Sequence, residues 1–534
     1  MFHATLTDYP YSTTRPIILG KRGAVATSQP LASLAGMEML LAGGNAVDAA
    51  VAMAIALTVV EPTSNGIGSD AFALVWDGTL HGLNASGRSP QSFTPEKFAE
   101  LNFSEMPNLG WLTVTVPGAV SAWYNLWQRW GRLSFEHLFE PAIRYAEEGF
   151  PVSPITAQAW KRAEHRYLPL KGKEYQPFKH IFFPHDRAPK PGEMWHSAVH
   201  GYTLRSIAKH GEENFYRGEM AEQIAHFADD TGGCLTLEDL KAHTCDWVTP
   251  VSTQYRDLTV WEMPPNTQGI AALMALNILE GFDLQQYPRD SAESFHLQIE
   301  AMKLAFADIN QHLGDPQAMQ LTPHDFLNPD YAKQRQKLIR DRALPTAEPG
   351  FIKGGTVYLC ASDGELMVSL IQSNYEDFGS GILIPDTGIA LHNRGACFTL
   401  EEGHPNQVAA NKRPFHTIIP GFLSQEGQPL GPFGVMGGQM QPQGHLQVVV
   451  NLADYQMNPQ SALDAPRWRF LRDNHIILES GVADHIAPHL ERRGHQVAMT
   501  SQSHHFGKGQ IILQDNETLM AASEPRADGC AIAF

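Results

Sequence analysis

The chain has 534 residues, of which 43% are hydrophobic and 18% are charged, a balance typical of a folded globular protein rather than a disordered one. Its 39 Lys and Arg against 57 Asp and Glu give a formal net charge of −18, which excludes nucleic acid and anionic membrane surfaces as expected partners. The five cysteines are scattered without a C-x-x-C spacing, so neither a disulfide framework nor a thiolate zinc site is indicated. Because the N-terminus has no basic and apolar signal region, we expect a cytoplasmic protein.

The N-terminal part of the chain predicts two consecutive helices. The first runs from Leu31 to Ala42. The second begins after Asn45, which is a good N-cap, and Asp48 stands at the third helical position as in a capping box. The apolar stretch from Ala46 to Val60 is shorter than the roughly 20 residues that a membrane-spanning helix needs. We therefore expect a buried helix and not a membrane anchor.

A hairpin follows these helices and leads to an arginine. Ala71 to Trp76 and Leu80 to Ala85 have the pattern of two strands, and Arg88 lies in the next loop beside a glycine and close to a proline. A guanidinium held there can bind both oxygens of a carboxylate. The alternative is a solvated loop arginine.

The 24 histidines raise the question of a metal. His196 and His200 are four residues apart, which places them on one helical face, but no glutamate lies between them as in H-E-x-x-H. There is also no phosphate-binding glycine loop and no dinucleotide fingerprint. We expect no metal and no cofactor.

The stretch around Thr356 carries the strongest indication of chemistry. Gly354 and Gly355 precede Thr356, which opens a strand that turns at Asp363-Gly364 into a second strand ending near Asn374. Asp-Gly between two β-rich segments predicts a type I′ hairpin turn. The glycine pair allows strained backbone conformations that expose the preceding carbonyl to the threonine hydroxyl. Self-cleavage there would create an N-terminal threonine whose amine activates its own hydroxyl, whereas the alternative is an ordinary hairpin.

A second glycine pair, Gly437-Gly438, lies in the C-terminal part of the chain. Adjacent glycines can direct two backbone N–H groups to one point, as an oxyanion hole requires, although such pairs also make simple tight turns. Helix and strand patterns alternate along the whole chain, so its class is mixed α and β.

Several motifs together resemble the γ-glutamyltransferases, also called glutathione hydrolases, which are N-terminal-nucleophile hydrolases. These motifs are the Gly43 to Ala52 segment, Val116-Pro117-Gly118, Asn411-Lys412-Arg413-Pro414, Gly437-Gly438 and Glu524-Pro525-Arg526. The resemblance implies an α+β fold, a four-layer αββα sandwich. It also implies a precursor that is cleaved between Gly355 and Thr356 into a large chain (1–355) and a small chain (356–534). The two chains would form a heterodimer around one αββα domain, and a dimer of heterodimers is left open.

The resemblance also implies roles for individual residues. Thr356 matches the nucleophile and Gly437 and Gly438 match the oxyanion-hole glycines. Arg88 matches the arginine that binds the substrate α-carboxylate, and Asn374 matches a substrate-contacting asparagine.

The chain departs from the family pattern where substrate specificity is expected. Cys397 stands where γ-glutamyl enzymes have an acidic residue for the α-amino group, and Arg394 is introduced nearby. A serine pair is replaced by His416-Thr417, and Gln372 replaces a threonine that supports the nucleophile. A buried arginine would oppose an ammonium and favour a carboxylate. We treat Gln372, Arg394, His416 and Thr417 as candidate substrate contacts.

The predicted activity is hydrolysis or acyl transfer on a small carboxylate-bearing amide such as a γ-glutamyl compound. The departures make oxamate amidohydrolase, which would release oxalate and ammonia in purine breakdown, the alternative substrate assignment. Two other classes remain open at this point. One is a non-catalytic relative that binds a partner, and the other is a metal-dependent hydrolase that uses the histidines.

Overall fold

The structure is a computed structural model of the chain and describes residues 8–12, 15–345 and 355–534. Gly354, the first glycine of the expected cleavage segment, lies outside the described residues. Within the described ranges, no helix combines the length and apolar character needed to cross a membrane.

The chain alternates strands and helices along its length. The strands are β1 (Ile18–Gly20), β2 (Ala24–Thr27), β3 (Asp70–Trp76), β4 (Leu80–Asn84), β5 (Phe150–Pro151), β6 (Met194–Trp195), β7 (Asp246–Val248), β8 (Val251–Tyr255), β9 (Leu258–Glu262), β10 (Gly355–Ser362), β11 (Met367–Tyr375), β12 (Gly421–Gln425), β13 (Gln428–Met436), β14 (Trp468–Arg472), β15 (His475–Glu479), β16 (Gln496–Thr500), β17 (Lys508–Asp515), β18 (Thr518–Ser523) and β19 (Cys530–Ala533). The helices are α1 (Pro30–Leu41), α2 (Ala46–Val60), α3 (Pro95–Glu100), α4 (Ala119–Trp130), α5 (Glu140–Glu148), α6 (Pro154–Tyr167), α7 (Gln176–Phe182), α8 (Ala198–His210), α9 (Glu212–Tyr216), α10 (Glu219–Asp230), α11 (Leu237–Lys241), α12 (Gly269–Leu279), α13 (Ala292–His312), α14 (Pro323–Phe326), α15 (Pro329–Gln336), α16 (Met440–Ala453), α17 (Pro459–Asp464) and α18 (Ile486–Arg492).

Two seven-stranded antiparallel sheets form the centre of the molecule. Sheet A has the order β1-β18-β17-β13-β12-β9-β8, and sheet B has the order β19-β2-β10-β11-β3-β4-β7. Phe72 and Tyr358 of sheet B pack with Phe422 and Ile512 of sheet A in one buried cluster, so the sheets lie face to face. This is the packing by which two half-apolar sheets bury their inner faces.

Helices cover the outer face of each sheet. Helices α1 and α2 pack on sheet B, and α12, α13 and α16 belong to the apolar core on the outer side of sheet A. Every residue of α2 is buried, because its small apolar side chains contact neighbours on all sides. The layers are therefore helix, sheet, sheet and helix, which confirms the predicted αββα sandwich.

The N-terminal predictions agree closely with the structure. Asn45 caps α2, and its side chain and that of Asp48 form the reciprocal capping box. The predicted type I′ turn after β10 is wrong, since Ser362 pairs with Met367 across a four-residue connection in which only Gly364 has a positive φ. The hairpin itself is present, because longer Asp-Gly-containing loops close the same pair of strands.

Candidate active site

Thr356 lies on the inner face of sheet B. Tyr358 and Cys360, which share its strand face, belong to the cluster between the sheets, and Thr356 itself is 2% exposed. Its hydroxyl donates a hydrogen bond of 3.2 Å to Ser373 Oγ on the adjacent strand β11. The ladder is irregular between Gly355 and Val357, so β11 bulges beside the threonine.

Two residues of β11 that were predicted to contact substrate lie on the strand face opposite Thr356. Gln372 and Asn374 point away from Thr356, because successive side chains of a strand alternate between its faces. Gln372 is held against the helix layer by Ala54 O, Asn65 Oδ1 and Trp123 Nε1. The Asn374 side-chain oxygen accepts from Ser69 Oγ at 2.9 Å. On β11 the side chain hydrogen-bonded to Thr356 is therefore that of Ser373, and Gln372 and Asn374 stay predicted substrate contacts.

Arg394 is fully buried beside this threonine–serine pair. Its Nη2 donates to Ser373 Oγ at 3.3 Å and its Nη1 donates to Thr417 Oγ1 at 2.8 Å. Nη1 also lies 3.6 Å from Cys397 Sγ, and the guanidinium carbon is 4.5 Å from the centre of the Tyr375 ring. Two of the candidate substrate contacts, Arg394 and Thr417, are thus brought to the threonine.

A buried carboxylate balances the arginine. Asp70 on β3 pairs with Ser373 in the sheet, so Asp70, Ser373 and Thr356 form a row across three adjacent strands. Asp70 Oδ2 accepts a 3.0 Å hydrogen bond from His416 Nε2 and lies 3.9 Å from Arg394 Nε. Burial raises the pKa of Asp70 to about 7, although the charge of Arg394 opposes this shift.

His416 does not face the cavity directly. Its side chain is fully buried, and its Nδ1 accepts from the Ile418 N–H at 3.4 Å, which leaves Nε2 to carry the proton toward Asp70. Burial lowers the pKa of His416 well below its usual value, with the charge of Arg394 as a further cause. The histidine is therefore neutral and acts as a donor to Asp70.

The second glycine pair connects β13 to α16. Gly437 and Gly438 have φ values of 138° and 62°, which are in the left-handed region that favours glycine. Their N–H groups donate to no group among the described residues, as is common in the segment that leads into a helix. Gly438 O accepts from Gln268 Nε2, which also donates to Thr417 O. A continuous set of hydrogen bonds therefore connects the glycine pair to Thr356 through Thr417, Arg394 and Ser373.

A cavity of about 1140 Å³ opens beside these residues. Tyr375, Cys397 and Gln439 line the end next to the threonine and the glycine pair. The cavity is also lined by Arg162 and His165 of α6 and by Glu105. The volume is slightly above the range of about 300–1,000 Å³ that is usual for ligand sites.

Arg88 lies elsewhere. It lines a second cavity of about 250 Å³, together with residues of α11 and the following segment. Its Nη1 donates to Asp315 Oδ2 at 3.4 Å and to Asn411 O at 3.3 Å. The structure therefore does not bring Arg88 to the lining of the larger cavity. The arginine hydrogen-bonded to Ser373, beside Thr356, is Arg394.

The side chains of His196 and His200 have different surroundings. His196 has an exposed side chain, while His200 is buried and shares a hydrogen bond of 2.7 Å with Ser197 Oγ. Among the described residues, one group of potential ligands is close together, formed by His296, Glu300 and His495. The Lys303 ammonium lies 3.0 Å from Glu300 Oε1 and pairs with this carboxylate.

Sequence reasoning missed Asp70, Ser373, Tyr375 and Gln268. Ser373 could have been found from the period of two along β11, since Met367, Ser369, Ile371 and Ser373 share one face. Asp70 gave a weaker signal, an acidic residue at the start of an otherwise apolar strand.

The chain is similar to known proteins in both sequence and fold. The chain matches the family described as Gamma-glutamyltranspeptidase over residues 32–534. It is 35% identical over 526 residues to the "Glutathione hydrolase-like YwrD proenzyme" of Bacillus subtilis (strain 168), with 96% of this chain and 99% of the relative covered. It is 33% identical over 529 residues to the "Oxamate amidohydrolase proenzyme" of Klebsiella pneumoniae subsp. pneumoniae, with 96% and 98% covered. Among solved structures, a cephalosporin acylase from Bacillus halodurans has a TM-score of 0.95 at 50% identity, with 99% and 98% covered.

Proposed function

We propose a reaction for this chain from the premise that it belongs to the gamma-glutamyltranspeptidase family and is one of its N-terminal-nucleophile hydrolases. The chain cleaves itself before Thr356 and then hydrolyses amides whose acyl half carries a carboxylate. The observation that carries this proposal is the fully buried Arg394, which is bonded to the serine that accepts the hydrogen bond of Thr356.

Self-cleavage begins with attack of Thr356 Oγ on the carbonyl carbon of Gly355. The acyl group moves from the threonine nitrogen to its oxygen, and water then hydrolyses the ester. The products are a carboxylate at Gly355 and a free amine and hydroxyl at Thr356. Several relatives are named as proenzymes, which supports a precursor cut into two chains that remain together.

The freed amine is the base for the second reaction. It takes the proton of the Thr356 hydroxyl as Oγ attacks the substrate amide, and the N–H groups of Gly437 and Gly438 stabilise the oxyanion. The amine half leaves with a proton, and water releases the acyl group from the threonine. Loss of one such oxyanion donor typically costs about 10²–10³ in turnover.

Arg394 determines which acyl group is accepted. A carboxylate about 4 Å from a guanidinium gains roughly 4 kcal/mol at an effective dielectric constant of about 20, and an ammonium in that place is disfavoured by a similar amount. Cys397 offers no negative charge in compensation, and Asp70 is already engaged by His416. The site therefore favours an acyl group such as oxalyl, in which a carboxylate adjoins the scissile carbonyl and no ammonium is present.

The cavity volume also suits a larger class of substrate, the γ-glutamyl peptides. A space of about 1140 Å³ is far larger than oxamate requires and has room for the leaving half of a γ-glutamyl peptide. The relatives named as glutathione hydrolases support testing that class.

Intact mass spectrometry followed by an amide panel tests the proposal. Wild-type protein should show two chains that divide between Gly355 and Thr356, and Thr356→Ala should show one chain and no activity. The panel contains oxamate, glutathione and γ-glutamyl-p-nitroanilide. Release of ammonia from oxamate supports the anionic acyl site, whereas efficient cleavage of the γ-glutamyl compounds with oxamate untouched would overturn it.

A further inference from the structure

Gln268 joins the backbone at Thr417 to the backbone at Gly438 by hydrogen bonds. It lies immediately before α12 and is fully buried. Its Nε2 donates to Thr417 O at 2.6 Å and to Gly438 O at 2.9 Å. Its own backbone N–H donates to His416 O at 3.0 Å, so the residue is fixed to the same segment twice.

The two carbonyl oxygens that accept from Gln268 belong to different parts of the site. The peptide after Gly438 is held through its carbonyl, which limits rotation at a residue that has no Cβ and a positive φ. The Thr417 segment carries the hydroxyl that accepts from Arg394. The side-chain amide of Gln268 therefore sets the distance between the glycine pair and Thr417, the residue whose hydroxyl accepts a hydrogen bond from Arg394.

We propose that Gln268 is a positioning residue that keeps the Gly437-Gly438 N–H groups in register with the acyl group held by Arg394. The inference rests on the proposed function in that it takes these N–H groups as the oxyanion donors. Misplacement of such donors by about 1 Å can cost roughly 100-fold in rate, so a residue that touches no substrate can limit turnover.

The side chain present suits this task closely. An –NH2 group has two hydrogens and meets two carbonyl oxygens, so both donors are used. Gln268 Oε1 has no hydrogen-bond partner among the described residues, so the side chain contributes through Nε2. A side chain of the same length without donors would leave Thr417 O without this donor and Gly438 O with the Gln441 N–H at 3.1 Å alone.

The first test compares Gln268→Met with Gln447→Met. Gln447 is a matched control, since it is buried and its Nε2 also donates to two carbonyl oxygens, those of Gln443 and Trp468, both at 3.0 Å. We expect Gln268→Met to lower kcat by about 10- to 100-fold with KM changed less than about 3-fold. Gln447→Met should keep kcat within about 2-fold. Equal kcat values in the two variants would overturn the inference.

The second test uses Gln268→Glu and a pH profile. A protonated carboxyl can donate one hydrogen bond to a carbonyl, whereas an ionised carboxylate donates none. The kcat of this variant should therefore fall, relative to wild type, as the pH rises through the ionisation of the new group. A profile parallel to that of wild type would contradict a positioning role.

Hydrogen exchange separates this inference from the proposed function. Without substrate, peptides covering residues 415–419 and 436–440 should exchange faster in Gln268→Met than in Gln447→Met. Unchanged exchange in those peptides overturns the inference even if the enzyme is active. If wild-type protein cleaves no amide of the panel, the proposed substrate class fails while the exchange result still tests Gln268.

Discussion

Arg394 is the residue on which the proposed acyl specificity depends. It is a buried cation whose hydrogen bonds go to neutral acceptors, Ser373 and Thr417, and its acidic neighbour Asp70 lies 3.9 Å from Nε without a hydrogen bond. A buried charge held mainly by neutral groups has a large desolvation cost, which a carboxylate ligand can offset.

Replacing this arginine should remove the preference for an anionic acyl group. Arg394→Gln is expected to lower kcat/KM for oxamate by about 100-fold, because hydrogen bonds to a charged group contribute roughly 1.5–3 kcal/mol each. For the uncharged methyl ester of oxamate, the same substitution should lower kcat/KM much less. Arg467→Gln is the control, since Arg467 is equally buried and pairs with Glu524 at 2.8 Å. A similar loss for both substrates in Arg394→Gln would show that the arginine does not select charge.

Asp70 should make substrate affinity depend on pH. Its pKa is raised to about 7 by burial, so it is neutral at lower pH and charged at higher pH. The charged form partly cancels the field of Arg394, and KM for an anionic amide should therefore rise as the pH increases through about 7. Asp70→Asn should remove this rise. Measurement of KM between about pH 5.5 and 8.5 checks it, and a pH-independent wild-type KM would refute it.

At the scale of elements, the backbones of two loops donate hydrogen bonds to residues at the start of β3. Gly87 N–H donates to Asp70 Oδ1 at 3.2 Å, and the N–H groups of Gly118 and Ala119 donate to Ser69 O at 2.9 and 2.8 Å. A Cβ on Gly118 would lie 1.5 Å from Ala85 O. This approach fixes Asp70 at the level of Ser373.

Gly118→Ala should therefore destabilise the protein by about 3 kcal/mol or more, since neither backbone can move without breaking these bonds. Gly66→Ala is the matched control, because its Cβ would meet its nearest neighbour, Asn374 Nδ2, at an ordinary 3.4 Å. Denaturant unfolding of both variants measures the difference. Equal stabilities would contradict the close approach.

At the scale of the whole molecule, strands from both sides of the proposed cut alternate in each sheet. In sheet B, β10 and β11 lie between β2 and β3, and β19 lies at the edge beside β2. In sheet A, β12 pairs with β9, and β18 pairs with β1. The two chains would share both sheets and the core between them.

The cleaved chains should consequently remain together without a covalent link. We expect wild-type protein to elute as one species in native size-exclusion chromatography, at the position of uncut Thr356→Ala, and to separate only in denaturant. The buried apolar area and the sheet hydrogen bonds lost on separation explain the stability. Separation of the fragments under native conditions would contradict the interleaved sheets.

Local patterns in the sequence determined the early helices, the hairpin at Thr356 and the class of the fold. Each of these depends on residues close in the chain, such as the Asn45 and Asp48 cap. The family motifs extended this to the αββα layers. The candidate nucleophile and the glycine pair were also available from sequence, since short motifs mark them.

Only the tertiary structure decided which side chains surround the threonine. The period of two along β11 already indicates that Ser373 and Gln372 face opposite sides, but the packing of the two sheets decides that the face of Ser373 is the inner one. Asp70, Gln268 and Arg394 are distant in sequence and meet through three strands and two loops. Their roles depend on burial and on distances between elements, which no local pattern encodes.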